Sequence, residues 1–164
     1  MSIKLIGCCI FLVAVIGVSV FSLPQKSCEE FLHDFYSNEG PEITQMDPLI
    51  LAGNKIVPVV LDKIKDKNMP KRRYAIAFLG NGSYHQALPV LESIVTDNTE
   101  KDFFRSDALE SIYLIDNDKG LQYARQFQVE ANDLGEVSKD LLGDRKLLPK
   151  HRSYIAALAS QLDR

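Results

Sequence analysis

Residues 70–97 read PKRRYAIAFLGNGSYHQALPVLESIVTD, and this stretch holds two helical patterns separated by a turn signal. The first pattern, PKRRYAIAFL, has a close copy near the end of the chain, PKHRSYIAAL at residues 149–158. The second pattern, LPVLESIVTD at residues 88–97, aligns without gaps with VPVVLDKIKD at residues 57–66. The chain therefore repeats pairs of helices, which predicts a protein built from stacked helical units.

The spacing of the repeated residues is nearly constant. Pro58 and Pro89 are 31 residues apart, whereas Arg72 and Arg105 are 33 apart. A two-residue insertion in the turn DNTEKDFF accounts for the difference. The terminal copy lies 79 residues after the first one, so the third unit must be enlarged, and an extra helix in DLGEVSKDLLG supplies the added length. A period in this range indicates a helical solenoid.

The rest of the chain favours an all-α domain, because no stretch alternates apolar and polar residues at strand spacing. Ser27 followed by Glu30 predicts a capping box for a helix that begins near Cys28. Further signals mark other helix ends: an Asp47 N-cap with Pro48 at the first helical position, a left-handed Gly80 cap, a Ser83–Gln86 capping box and a Thr99 N-cap. Between the helix layers we expect a common core of Ile76, Phe78, Leu79, Leu91, Ile112 and Leu114.

The first 22 residues differ from the rest of the chain. They carry one charge, Lys4, and then an apolar run from Leu5 to Phe21. This pattern predicts an export signal that is cleaved before Leu23, and the alternative is an uncleaved membrane anchor. In either case we expect the domain outside the cytoplasm, periplasmic or secreted. The expected division is signal or anchor at 1–22, a capping helix and loop at 23–46, and a repeat domain at 47–164.

Cys28 is the only cysteine that lies after this segment, so no disulfide can form within the exported chain. A lone exported thiol can be reactive or can pair between chains. However, Cys28, Phe31, Leu32 and Phe35 follow the spacing of one helix face. We therefore expect a buried structural cysteine.

The stretch RRYAIAFLGNGSYHQALPVLESIVTD resembles the short HEAT-like repeat first associated with phycobilin lyases. The matching positions are Pro58, Asp66, Arg72, Ala75, Leu79 and Gly80 in one unit, and Pro89, Asp97, Arg105 and Ala108 in the next. Ile112 and Tyr113 stand where the family has Leu-Gly, so the second unit departs from the pattern. The resemblance implies a short right-handed α-solenoid. It also implies a ladder in which Asp66 and Asp97 accept from Arg72 or Arg73 and from Arg105.

No set of residues in the sequence is typical of a catalytic or metal site. The three histidines, His33, His85 and His151, are far apart, and there is no HExxH, His-Glu or CxxC motif. Diiron hydroxylases of the HEAT-like class use His-Glu pairs, and bilin lyases work inside the cell, so neither activity suits this chain. We expect a non-enzymatic protein without cofactor or metal. After residue 22 the chain has 18 basic and 22 acidic residues, a balance that argues against nucleic-acid binding.

The second helices of the repeats offer a candidate surface for a partner protein. Stepping 33 residues from Tyr74 and Ala77 leads to Asp107 and Glu110, which places Tyr74, Asp107 and Glu110 side by side. Such helices line the concave face that solenoids use for binding. The sequence thus predicts a protein-binding module, either an adaptor, an assembly factor or an inhibitor. The alternatives are a periplasmic immunity protein that neutralises a toxic enzyme, a bilin-lyase-like enzyme and a membrane-tethered spacer.

Overall fold

The computed structural model describes residues 26–143, so the predicted export segment and the terminal repeat copy lie outside the described residues. Its helices are α1 (Cys28–Ser37), α2 (Asp47–Ala52), α3 (Val57–Lys63), α4 (Arg72–Asn81), α5 (Leu88–Thr96), α6 (Asp102–Ile115), α7 (Asn117–Phe127) and α8 (Asp133–Leu142). Short 3₁₀ turns cover Glu42–Thr44, Gly53–Ile56 and His85–Ala87. The structure has no strand between residues 26 and 143, so the all-α prediction is confirmed.

The start of α1 follows the sequence closely. The backbone N–H of Glu30 donates to Ser27 Oγ at 3.2 Å, and Ser27 N–H donates to the Glu30 carboxylate at 2.6 Å, which confirms the capping box. Leu32 and Phe35 are buried. Cys28 is half-buried rather than buried, with Sγ donating to the carbonyl of Lys55 at 3.4 Å.

Prolines stand in the opening turns of α2, α3 and α5. Pro58 and Pro89 lie where predicted, and there the missing N–H removes no intrahelical hydrogen bond. At α2 the boundary differs by one residue, since Met46 is the cap and Asp47 is already helical.

Several predicted caps are wrong. Gly80 does not end its helix: it lies inside α4, is buried, and faces α6. The left-handed residues near α4 are Lys71 and Ser83, and Ser83 makes no capping box with Gln86. Thr99 is not an N-cap either, because Lys101 precedes α6, and Thr99 N–H donates to Asp97 instead.

The centre of the fold is α6, which packs against α4, α5, α7 and α8. The fully buried large side chains are Phe35, Leu49, Ile56, Ile64, Ile76, Phe78, Leu79, Leu91, Leu109, Ile112 and Leu134. They include five of the six residues that the sequence placed between the layers, whereas Leu114 is half-buried. The all-helical class is established, and the solenoid arrangement stays a prediction.

Candidate functional site

Arg72 and Arg105 each connect a helix to the end of the helix that precedes it. Arg72 Nε on α4 donates to the carbonyl of Ile64 at 2.7 Å, and Arg105 Nε on α6 donates to the carbonyl of Val95 at 3.1 Å. Each guanidinium also lies over an aromatic ring, Arg72 over Phe104 and Arg105 over Phe127. Both arginines are buried and thus hold the framework rather than face a partner.

The acid partners of these arginines differ from the predicted ladder. Arg72 pairs with Glu100 at 2.6 Å, and Arg105 pairs with Glu130 at 3.1 Å. The carboxylates of Asp66 and Asp97 accept backbone N–H groups two residues further on, from Asn68 at 2.9 Å and from Thr99 at 2.8 Å. An aspartate that closes its own turn in this way is held at that turn. The longer glutamates reach the guanidinium groups instead.

Arg73 lies at the surface, whereas Arg72 is buried. Its side chain is 57% exposed, and its Nε donates to Asp107 Oδ2 at 2.9 Å across the contact between α4 and α6. The Asp107 side chain is only 12% exposed. This pair stands at one edge of a surface groove.

The groove has a volume of about 320 Å³ and lies along α6 and α8. Its lining consists of Arg73, four residues of α6 and four of α8: Phe103, Ser106, Asp107, Glu110, Asp133, Glu136, Val137 and Asp140. The four residues of α8 fall at i, i+3, i+4 and i+7, which places them on one face of that helix. We call this feature the acidic groove.

The acidic groove carries a large excess of negative charge. Its lining holds five carboxylates and one guanidinium. Burial raises the pKa of Asp107 to about 6, and the neighbouring Glu110 charge adds to this, while Arg73 opposes it. Phe103 is 38% exposed and Val137 is half-buried, so the groove also offers apolar contact area. This combination suits a ligand that carries both positive charge and apolar groups.

The carboxylates of the groove do not form a metal centre. Between residues 26 and 143 no group of three or more His, Cys, Asp or Glu side chains has a geometry that could hold a metal ion. The five acids are spread along two helices. They present a negative surface rather than converge on one point.

The predicted contact residues are only partly brought together. Asp107 and Glu110 both line the groove, as neighbours on α6. Tyr74 is half-buried, packs against the core and does not belong to the lining. Their role in binding a partner stays a prediction.

The sequence predicts only two of the nine residues that line the groove, Asp107 and Glu110. The sequence predicts an extra helix for the stretch that holds Asp133, Glu136 and Asp140, but it does not predict that these acids line a groove. Their helical spacing in DLGEVSKD was a usable signal. Phe103 and Arg73 could not be placed in the groove without the crossing of α4, α6 and α8.

Comparison of the chain with protein-family models, with curated proteins and with solved structures gives no match. Within residues 26–143, none of the helices combines the length and the apolar character needed to cross a bilayer.

Proposed function

We propose that this protein is a non-enzymatic protein-binding module that acts outside the cytoplasm as an adaptor, an assembly factor or an inhibitor. Its acidic groove holds a cationic segment of another protein. The observation that carries this proposal is the lining of the groove: five carboxylates and one guanidinium around an exposed phenylalanine.

Electrostatics supports a basic partner. Like-signed charges along a cleft add their potentials, which attracts a ligand of the opposite sign and speeds its association. Glu110 on α6 and Asp133 and Glu136 on α8 line the same groove, so acids from both helices are available to a bound lysine or arginine. Phe103 then packs against the aliphatic part of such a side chain or against an apolar neighbour.

The HEAT-like arrangement is part of the same proposal. It is supported by the equivalent contacts of Arg72 and Arg105, each to the carbonyl at the end of the preceding helix. In a right-handed solenoid, α4, α6 and α8 stand side by side and form a common face for binding. Export is supported by the composition of residues 1–22.

Inhibition of a toxic enzyme is the second candidate, as in an immunity protein. Enzymes that act on nucleic acids carry basic sites, because they must neutralise phosphates. An acidic groove is complementary to such a site. If the captured partner is a nuclease whose activity falls on binding, this version of the function applies.

Capture from native extracts tests the proposal with a matched pair of variants. The tagged protein, a groove variant (Glu110→Lys with Glu136→Lys) and a control (Asp118→Lys) are compared, since Asp118 is exposed on α7 and does not line the groove. We expect a stoichiometric partner with a basic surface that the control retains and the groove variant loses. Equal capture by all three proteins would exclude the groove as the binding site.

A further inference from the structure

Residues 144–164 carry the charge that the acidic groove lacks. They contain five Lys or Arg residues and two Asp residues. The basic residues concentrate in RKLLPKHR at 145–152, which has four Lys or Arg residues and no acid. We call residues 144–164 the basic segment; it follows Gly143 directly, after the helix α8 that supplies three of the carboxylates.

We propose that the basic segment 144–164 occupies the acidic groove of the same molecule and competes there with an external cationic partner. The proposal uses the groove that the proposed function uses, but its first part does not require any partner to exist. The occupant is a segment of this chain because its charge complements the lining and because it is tethered at the groove.

Three of the five groove carboxylates favour a cation supplied from elsewhere in the chain. Arg73 already pairs with Asp107. No cation within residues 26–143 pairs with Glu110, Asp133 or Glu136. These three acids therefore keep their attraction for a cation from elsewhere.

The chain after Gly143 is long enough to reach every part of the groove. The acids of α8 lie along about 10 Å of helix, at a rise of 1.5 Å per residue. An extended chain covers about 3.3 Å per residue, so residue 146 reaches about 10 Å from Gly143 and residue 152 about 30 Å. Arg145 to Arg152 can thus return along the whole length of the groove. A tether this short also gives the segment a high effective concentration there.

The repeat within the sequence relates the basic segment to Arg73. PKHRSYIAAL at 149–158 aligns with PKRRYAIAFL at 70–79, which sets Arg152 in the position of Arg73. Arg73 lines the groove, and its Nε lies 2.9 Å from a carboxylate oxygen of Asp107. The basic segment therefore repeats the sequence around an arginine that pairs with one of the groove acids.

Zero-length cross-linking of the full chain with a carbodiimide tests the proposal. The reagent activates a carboxylate, which then loses the activating group as a lysine amine forms an amide with it. We expect cross-links from Lys146 or Lys150 to Glu110, Asp133, Glu136 or Asp140. In an equal mixture of isotopically light and heavy chains these products should be unmixed, as an intramolecular contact requires.

Charge reversal that spares the reacting groups makes the test specific. Arg145→Glu with Arg152→Glu leaves both lysines and every groove acid in place, and should lower the cross-link yield about threefold to tenfold, as expected for the loss of two ion pairs. The control is Arg125→Glu, because Arg125 is exposed on α7 outside the groove. Hydrogen exchange of α6 and α8 checks that each variant keeps the fold.

Three results would overturn the proposal: cross-links that avoid the groove acids, cross-links between light and heavy chains, or yields unchanged by the arginine reversal. A mixed-isotope product would assign the segment to a second copy of the chain. A different result would contradict the proposed function while leaving the contact between the basic segment and the groove intact. If the segment cross-links to the groove and yet the double arginine variant binds no cationic peptide, only the proposed function is wrong. If both the inference and the proposed function are correct, that variant binds such a peptide about threefold to tenfold more tightly than the parent.

Discussion

Arg72 and Glu100 form an ion pair that is almost completely shielded from water. Their side chains are 2% and 4% exposed, and Arg72 Nε also donates to the carbonyl of Ile64. Removing two charges from water is costly, and their mutual attraction and extra hydrogen bonds offset that cost only while both are present. The pair is therefore best understood as a constraint on how the elements around it fit together.

Removal of one residue of the Arg72–Glu100 pair should therefore strongly destabilise the fold. Glu100→Ala leaves the Arg72 guanidinium buried without its acid, and we expect a loss of about 3–5 kcal/mol in the free energy of unfolding. The matched control is Asp62→Ala, which breaks the exposed Asp62–Lys65 pair and should change stability by less than about 0.5 kcal/mol. Urea denaturation measures both, and equal losses would contradict the account.

Asp107 should make stability depend on pH in an unusual direction. Burial raises its pKa from 3.8 to about 6, so the folded protein holds this proton more tightly than the unfolded chain does. The stabilising effect is present in full below about pH 4 and is lost as the pH rises through about 6. The groups around it are Arg73, Glu110 and the acids of α8.

Comparison with Asp107→Asn isolates this effect. Relative to the variant, the parent should lose about 2 kcal/mol of unfolding free energy between about pH 4 and pH 7, since one pKa unit corresponds to about 1.4 kcal/mol. Thermal or urea unfolding across this range gives the measurement. A relative gain with rising pH would mean that the attraction of Arg73 exceeds the effect of burial.

At the scale of elements, the contact between α4 and α6 depends on a glycine. A Cβ on Gly80 would lie 2.6 Å from the Cα of Ser111, and Ser111 Oγ donates to the carbonyl of Ile76 at 3.1 Å. The two helix backbones approach too closely for any side chain at this position. The glycine therefore fixes the distance between α4 and α6, which also places Arg73 beside Asp107.

Gly80→Ala should separate these helices. We expect a loss of about 1–3 kcal/mol from overpacking, despite the better helix propensity of alanine. Gly143→Ala is the control, because a Cβ there would lie 3.3 Å from its nearest atom, the carbonyl oxygen of Lys139, a tight contact that a small shift relieves. If calorimetry shows both variants at the same melting temperature, the close contact does not limit the packing.

Local signals and tertiary contacts account for what the sequence could and could not predict. The capping box of Ser27 and Glu30 and the prolines of α3 and α5 depend on neighbours within one turn, and each was predicted correctly. Gly80 was misread as a cap because its role depends on Ser111, which lies in a different helix. The predicted Thr99 N-cap was wrong because the backbone N–H and the hydroxyl of Thr99 both donate to the Asp97 carboxylate within the preceding turn.

Dependence on contacts between distant helices also limits how much of the candidate site can be predicted from the sequence. A step of one repeat identified Asp107 and Glu110, since both lie on α6 with the spacing of one helix face. The groove acids of α8 lie in the stretch that the sequence assigns to an enlarged third unit, where the predicted repeat gives no register. The sequence does not reveal how much of the Tyr74 side chain the core covers, and the structure places it half-buried against the core.

At the scale of the whole molecule, export makes a definite prediction about mass. The protein isolated from its native source should begin at Leu23, because the small residues Val20 and Ser22 precede a cleavage position at the end of the apolar run. Intact-mass analysis with sequencing of the first peptide measures this. Retention of residues 1–22 would instead indicate a membrane anchor.

Binding of a cationic partner in the acidic groove is tested most directly by the affinity of the protein for a defined peptide. An amphipathic Lys- and Leu-rich peptide is titrated against the protein, against the Glu110→Lys/Glu136→Lys variant and against the Asp118→Lys control, with fluorescence anisotropy as the readout. We predict at least about tenfold weaker binding by the groove variant, unchanged binding by the control, and loss of the difference at ~1 M salt, where the Debye length is about 3 Å. Equal affinity of all three proteins at low salt would contradict the claim.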